Sequence, residues 1–282
     1  MTTDPAALRD LALTVARSAA ALVRDRRAAG VSVADTKSSA TDVVTEVDRA
    51  SEELIRRLLL EARPDDSILG EEGDDHRGTS SVLWIVDPID GTVNFLYGLP
   101  QYAVSIAADV DGRVVAGVVL DVVTGAAFTA VRGQGATRDG RPIAVRPTPP
   151  IEHRLVLTGF SYRPGLRAAQ AEQVARLLPR VRDIRRIGSS ALDICHVAEG
   201  AGDAYVEEGS QRWDWSAAAL VAEEAGARFG LLRSTVAGRL GGPGADGTPT
   251  VVVCAPAAGW DSFVTLLVEC GFVAADPPGE VE

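Results

Sequence analysis

The sequence predicts an α+β fold built in layers rather than a regular βα repeat. Two observations lead there. Helix-period and strand-period segments come in blocks, with two helical stretches followed by a run of short strands. A proline-rich stretch near the middle, Arg146-Pro-Thr-Pro-Pro150, then separates that block from a second, more mixed half. The 282 residues give area for a sizeable core in one large domain or two intimate halves, divided here as 1–146 and 151–282.

Taken in order, residues 5–29 read as one helix, because Leu8, Leu11, Val15, Ala19 and Leu22 recur every three or four residues along one stripe. Its apolar run Leu11–Val23 is preceded by Asp4, Arg9 and Asp10 and interrupted by Arg17, which marks an amphipathic helix rather than a signal peptide. The stretch from Gly30 to Asp42 is rich in Ser, Thr and Asp and reads as a loop. Thr45-Glu-Val-Asp48 has the form of a capping box and opens a helix over 46–61, with Leu54, Ile55, Leu58 and Leu59 inward. Strands follow at 82–86, 102–109, 113–121 and 126–131, with Asp111-Gly112 as a hairpin turn. Beyond the prolines come a strand (154–158), a helix (166–178), a strand (181–187), a helix (190–199), a strand (204–206) and a helix from about Trp215 to Ala225. A buried strand (250–254) and a helix (260–270) close the chain. No internal repeat is visible, and no segment approaches the length of a membrane span.

The net charge of −11 disfavours an electrostatic grip on nucleic acid or an anionic membrane. Cys195, Cys254 and Cys270 are widely spaced and odd in number, which argues against a disulfide framework or zinc site and for a reducing cytoplasm. Lys37 is the only lysine among 28 basic residues and sits in the polar loop. His76, His153 and His196 lack metal-ligand spacing, and no Walker A or Gly-x-Ser-x-Gly pattern occurs. Gly242-Pro-Gly-Ala-Asp-Gly247 matches a dinucleotide fingerprint formally, but it precedes a strand instead of opening a helix.

The chemistry concentrates in Trp84-Ile-Val-Asp-Pro-Ile-Asp-Gly-Thr-Val-Asn-Phe95. Asp87 ends a buried apolar strand, Pro88 stops the strand by removing a donor, and Asp90 follows three residues after Asp87. Two hard oxygen ligands at one point suit Mg²⁺, which takes one or two carboxylates with waters and substrate phosphate. Gly91 lets backbone approach closely, and the amides after it suit a phosphate oxygen. Glu71 and Glu72 form a glycine-flanked acid pair, and Asp214 reads as a helix N-cap with one oxygen left for a metal.

The blocks GEEG (70–73), WIVDPIDGTVNF (84–95) and WDWSAAALVAEEAGA (213–227) resemble the signature segments of the inositol monophosphatase family. That family belongs to the lithium-sensitive, Mg²⁺-dependent sugar phosphatases. DVVTEVD (42–48), RRIGSSALD (185–193) and DAYVE (203–207) extend the likeness over most of the chain. The resemblance implies a layered α-β-α-β-α sandwich, a homodimer, inhibition by Li⁺, and two to three Mg²⁺ per active site. It implies that Glu71, Asp87 and the Ile89 carbonyl hold one metal, and that Asp87, Asp90 and Asp214 hold a second. A third, weaker metal falls near Glu71, with Asp48 close by through water. Gly91 and Thr92 take the phosphate, while Gly188, Ser189, Ser190, Glu207 and Arg185 lie on the substrate side. Lys37 falls in the counterpart of a flexible active-site loop. The implied reaction is hydrolysis of a small phosphate monoester, foremost inositol 1-phosphate, by metal-activated water attacking in line. Glu71, or Thr92 working with Asp48, orients that water and takes its proton. Siblings acting on histidinol phosphate, fructose bisphosphate or 3′-phosphoadenosine phosphate share these motifs, as do regulatory relatives. Two departures stand out: Ala227 replaces the usual final glycine of the third block, and Trp215 a smaller residue.

Overall fold

The structure is a computed structural model that describes residues 3–30, 33–36, 43–236 and 250–275. Lys37 and the glycine-rich stretch 242–247 lie outside the described residues.

The first half runs α1 (Pro5–Ala29), β1 (Val33–Thr36), β2 (Val43–Thr45), α2 (Glu46–Ala62), β3 (Ser67–Gly70), β4 (Val82–Asp90), α3 (Thr92–Tyr97), β5 (Ala103–Val110), β6 (Arg113–Asp121), β7 (Ala127–Val131), β8 (Ala136–Arg138) and β9 (Arg141–Pro142). The second half runs β10 (Leu155–Thr158), α4 (Pro164–Leu177), β11 (Asp183–Arg185), α5 (Ser190–Ala198), β12 (Ala204–Glu208), α6 (Arg212–Glu224), β13 (Ala227–Arg233), β14 (Thr250–Pro256) and α7 (Trp260–Cys270).

Seven strands form one sheet in the order β3-β4-β5-β6-β7-β8-β9, and five form another in the order β11-β10-β12-β14-β13. Apolar faces stack these into five layers, α-β-α-β-α. The stripe Leu8, Val15, Ala19 and Val23 of α1, with Ile55 and Leu59 of α2, buries one face of the larger sheet. Between the sheets, α5 and α6 pack on Ile85, Ala107 and Val119 from one side and on Tyr205 and Val252 from the other. Phe263 and Leu267 of α7, with Leu177 of α4, cover the outer face of the smaller sheet. One middle layer thus shares its burial with both sheets, and that layer carries the ends of α5 and α6 to the site. Close approach depends on Gly117 in β6, where a Cβ would lie 2.7 Å from the Ala217 carbonyl of α6.

Several boundaries differ from the sequence expectation. Val33–Thr36, inside the stretch read as loop, pairs antiparallel with β2. β4 does not stop at Pro88 but continues to Asp90. α6 starts at Arg212, with Gln211 as its cap, so Asp214 is the third helical residue and not the N-cap. β13 has no regular strand pattern in the sequence, where Gly230 interrupts it; the Trp260 ring occupies the space a side chain there would need, 2.9 Å from where its Cβ would lie. Trp215 packs its ring on Phe229 of β13, with centroids 5.4 Å apart, and so serves the middle layer.

Candidate active site

The pairing of β4 with β5 explains how Asp87 and Asp90 meet. Residues three apart on a regular strand point to opposite faces. Here Asp87 pairs with Ser105 and Asp90 with Ala103, so β4 uses three steps where β5 uses two. That one-residue bulge restores the phase and returns both carboxylates to one side. Pro88 suits the bulge because it has no N–H to lose from the ladder. The Ile89 amide donates to Asp87 Oδ1 at 3.0 Å, and Ser51 of α2 donates to the Pro88 carbonyl at 3.2 Å, which secures the irregular backbone.

β3 runs parallel to β4, with Gly70 opposite Val86, so the residue leaving β3, Glu71, emerges beside Asp87. Asp214 enters from the first turn of α6, where its Oδ2 accepts the Gln211 amide at 2.6 Å. Glu71, Asp87, Ile89, Asp90 and Asp214 all line one cavity of about 330 Å³. Burial, then the charges of Glu71 and Asp90, pushes Asp214 well above the usual carboxylate range. Burial likewise pushes Asp90 up to about 6, although the Ser189 hydroxyl and the Ala191 amide draw it down.

The acids fit a hard cation. They repel one another across the cavity and supply only oxygen donors. Among the described residues no three such side chains form a ready-made cage, and several of their oxygens accept backbone amides. Mg²⁺ does not require one, since it retains waters and takes substrate phosphate oxygens.

Below the bulge, the Thr92 hydroxyl lies 3.0 Å from Asp48 Oδ1 and 3.1 Å from the Ile89 carbonyl, donating to one of them at a time. Asp48 is fully buried and does not line the cavity; it reaches the site through Thr92. Its Oδ2 accepts both the Thr45 amide, at 2.9 Å, and the Thr45 hydroxyl, completing the capping box at the head of α2. Gly91, Thr92 and Val93 face the cavity, and no side chain caps the first turn of α3. Its amides therefore present partial positive charge to an anion.

Across the cavity, α5 points its N-terminus at Asp90. The Ala191 amide donates to Asp90 Oδ2 at 2.7 Å, the Ser190 amide to Oδ1 at 3.3 Å, and the Ser189 hydroxyl to Oδ2. Glu207 accepts the Ser190 hydroxyl at 3.0 Å and the Tyr205 hydroxyl, while burial raises its pKa. Gly159 stands where any side chain would overlap that carboxylate. Asn94 clamps the halves of the site together, donating to the Gln101 carbonyl at 2.8 Å and the Ile187 carbonyl at 2.9 Å.

Arg185, expected on the substrate side, is not brought to the cavity. It lies on the surface, ion-paired with Asp183. Strand alternation explains this: Asp183 and Arg185 share one face of β11, and the next residue, Arg186, turns to the cavity. The field of Arg186 reaches both Asp193 and Glu207. The paired arginines were visible in the sequence, but only the end of β11 decides between them. Arg185→Ala is expected to leave kcat and KM within about twofold, whereas Arg186→Ala raises KM about tenfold, the usual scale for a charged hydrogen bond. Steady-state kinetics on both variants checks this.

The chain is similar to proteins of one known family. The family model described as "Inositol monophosphatase family" matches residues 4–263. A Mycobacterium tuberculosis protein named Inositol-1-monophosphatase SuhB is 47% identical over 270 residues, covering 89% of this chain and 90% of that protein. A Pseudomonas aeruginosa protein named Nus factor SuhB is 41% identical over 229 residues, 77% of this chain and 82% of its own length. The solved structure of Mycobacterium tuberculosis SuhB superposes with a TM-score of 0.81 at 42% identity, covering 96% of this chain and all of that one.

Proposed function

Since this chain belongs to the inositol monophosphatase family, we propose that it is a Mg²⁺-dependent phosphomonoesterase that hydrolyses inositol 1-phosphate to inositol and phosphate. The observation that carries this reading is the bulge at Pro88, which sets Asp87 and Asp90 on one side of β4 directly ahead of an uncapped helix start. Glu71, Asp87, the Ile89 carbonyl, Asp90 and Asp214 would hold two Mg²⁺, with a third weaker site beside Glu71. When bound, the metal supplies positive charge to phosphate oxygens and makes a water acidic enough to act as nucleophile at neutral pH.

The protein's own groups do the rest. The α3 amides from Gly91 onward bind and orient the phosphate. The Thr92 hydroxyl, held against Asp48, takes a proton from the attacking water as it passes its own to Asp48 Oδ1, and the departing alkoxide takes a proton from solvent water. Asp48 suits that task because its other oxygen is already engaged by Thr45. Glu71, which lines the same cavity, is the alternative acceptor. Glu207, presented by Tyr205 and Ser190, receives hydroxyl groups of the alcohol.

What favours inositol phosphate is the position of Glu207 beyond the phosphate turn, together with the name of the mycobacterial relative. A second reading, a partner of transcription machinery, is favoured by the Pseudomonas aeruginosa relative's name. The test is phosphate release with Mg²⁺, with and without Li⁺, from inositol 1-phosphate, histidinol phosphate, fructose 1,6-bisphosphate and 3′-phosphoadenosine 5′-phosphate. Mg²⁺-dependent, Li⁺-inhibited release greatest from inositol 1-phosphate supports the reading. Release greatest from another ester reassigns the alcohol, and none from any ester favours the second reading. A homodimer in a reducing cytoplasm belongs to the same proposal. All three cysteines are buried and free, and no described helix is long and apolar enough to cross a membrane.

A further inference from the structure

Helix α2 meets the site at three points. Asp48, Glu52 and Arg56 lie four residues apart, on one face of the helix. Asp48 reaches Thr92, and Ser51 donates to the Pro88 carbonyl at 3.2 Å. Glu52, buried at 2% exposure, reaches the loop that follows β3. Its Oε2 accepts the Glu72 amide at 2.8 Å, and its Oε1 accepts the Gly73 amide at 2.9 Å and Arg56 Nε at 2.7 Å. Arg56 in turn donates to the Gly73 carbonyl at 3.3 Å. The loop sits so closely on this pair that a Cβ at Gly70 would lie 2.5 Å from Glu52 Oε1 and 2.6 Å from Arg56 Nη2; one at Gly73 would lie 3.0 Å from Glu52 Oε1.

We propose that Glu52 is a positioning residue, which grips the two amides after Glu71 and so fixes the height of the Glu71 carboxylate against Asp87. This rests on the metal-dependent reading above. The chemistry favours a carboxylate at position 52. Two amides and a guanidinium converge on it from separate directions, and only a group with acceptors on both oxygens satisfies all three. It is also an ionised acceptor, whose hydrogen bonds are the stronger kind. Because the same helix holds Thr92 through Asp48 and the bulge through Ser51, α2 acts as a rail that aligns Glu71, the Asp87–Asp90 bulge and Thr92 in common register. The glycines on either side of the acid pair then have a reason that metal binding alone does not give: they let the loop lie flat on Glu52 and Arg56.

Glu52→Gln places an amide NH₂ against one of the donating backbone amides. Mg²⁺ affinity, read by isothermal calorimetry in the absence of substrate, is expected to fall about 10- to 100-fold, the range typical of groups that orient metal ligands. The KM for substrate at saturating Mg²⁺ stays within about twofold of the parent. Arg56→Gln keeps both amide contacts to Glu52 but removes the Arg56 contacts to Glu52 and the Gly73 carbonyl, so it lowers Mg²⁺ affinity by less than Glu52→Gln does. An Arg56→Gln loss as large as that of Glu52→Gln overturns the assignment of the grip to the Glu52 carboxylate. A folded Glu52→Gln protein with parental Mg²⁺ affinity overturns the proposal. Hydrogen exchange on the unaltered, metal-free protein gives a second measure that needs no variant. The Glu72 and Gly73 amides exchange as slowly as the middle of α2, and fast exchange at both overturns the grip by Glu52. If the unaltered protein neither binds Mg²⁺ nor releases phosphate, it is the functional reading that fails, while the exchange result still decides on Glu52.

Discussion

Asp90→Asn lowers turnover by at least about a thousandfold at saturating Mg²⁺ while leaving the fold intact. Removing a single neutral donor from a charge-stabilising site already costs about 10² to 10³ in rate. This substitution removes a full negative charge from the group that lies between the α5 terminus and the other acids. The amide keeps the size of the carboxylate and one acceptor oxygen, so the Ala191 amide retains a partner. Stability moves differently. The folded-state pKa of Asp90 is raised from 3.8 to about 6 by burial, so ionisation is disfavoured by folding; the penalty on the metal-free fold grows as the pH rises past 3.8 and is complete above about 6. The metal-free variant at pH 7 therefore melts no lower than the parent. Any advantage shrinks as the pH falls through about 6, where the parent carboxyl takes up its proton. Turnover under saturating Mg²⁺ and thermal melts at pH 5 and 7 check the two halves. Near-normal activity at saturating Mg²⁺ removes Asp90 from the assigned role.

That separation between chemistry and fold also describes what could be read in the sequence. Periodicity placed α1 and α2 well, because each turns a recurring apolar stripe to the first sheet. The acids could be named from their motifs because residue type and spacing carry the chemistry. How they meet was harder to see. Pro88 reads as the end of a strand, and only pairing with β5 turns it into a bulge that rotates Asp90 into phase. Asp214 reads as a helix cap, and only the reach of Gln211 back to it shows the helix starting earlier. Arg185 and Arg186 cannot be separated until β11 is known to end between them. Glu52 carries no motif signal of its own in this chain. Its part appears only when parallel pairing of β3 with β4 carries the Glu71 loop over α2. In each case local sequence names the group, and a contact distant in sequence aims it.

Gly91→Ala, although it adds one methyl group and removes no functional atom, is expected to cost about a hundredfold in kcat or more, the scale of a misplacement near 1 Å at a reacting centre. Gly91 has φ +95, a left-handed conformation that L side chains rarely adopt. A Cβ there would lie 2.9 Å from the Gln101 carbonyl and 3.0 Å from the Gly188 carbonyl, so strain and crowding combine. Neither neighbour yields easily, because both are backbone. Asn94 holds the Gln101 carbonyl on one side and the Ile187 carbonyl, next to Gly188, on the other. Relief must therefore come from the turn itself, which moves the α3 amides, or from opening the contact to the 187–189 segment, which moves the Ser189 hydroxyl away from Asp90. Either route separates the phosphate cradle from the acids. The backbone strain alone is about 1 to 3 kcal/mol, so the protein folds with a lowered melting temperature but with its metal ligands chemically unchanged. Mg²⁺ affinity measured without substrate should fall much less than kcat, which sets this variant apart from Asp90→Asn. A Gly91→Ala protein with parental kcat would show that the left-handed turn serves folding alone and that the α3 amides do not hold the phosphate.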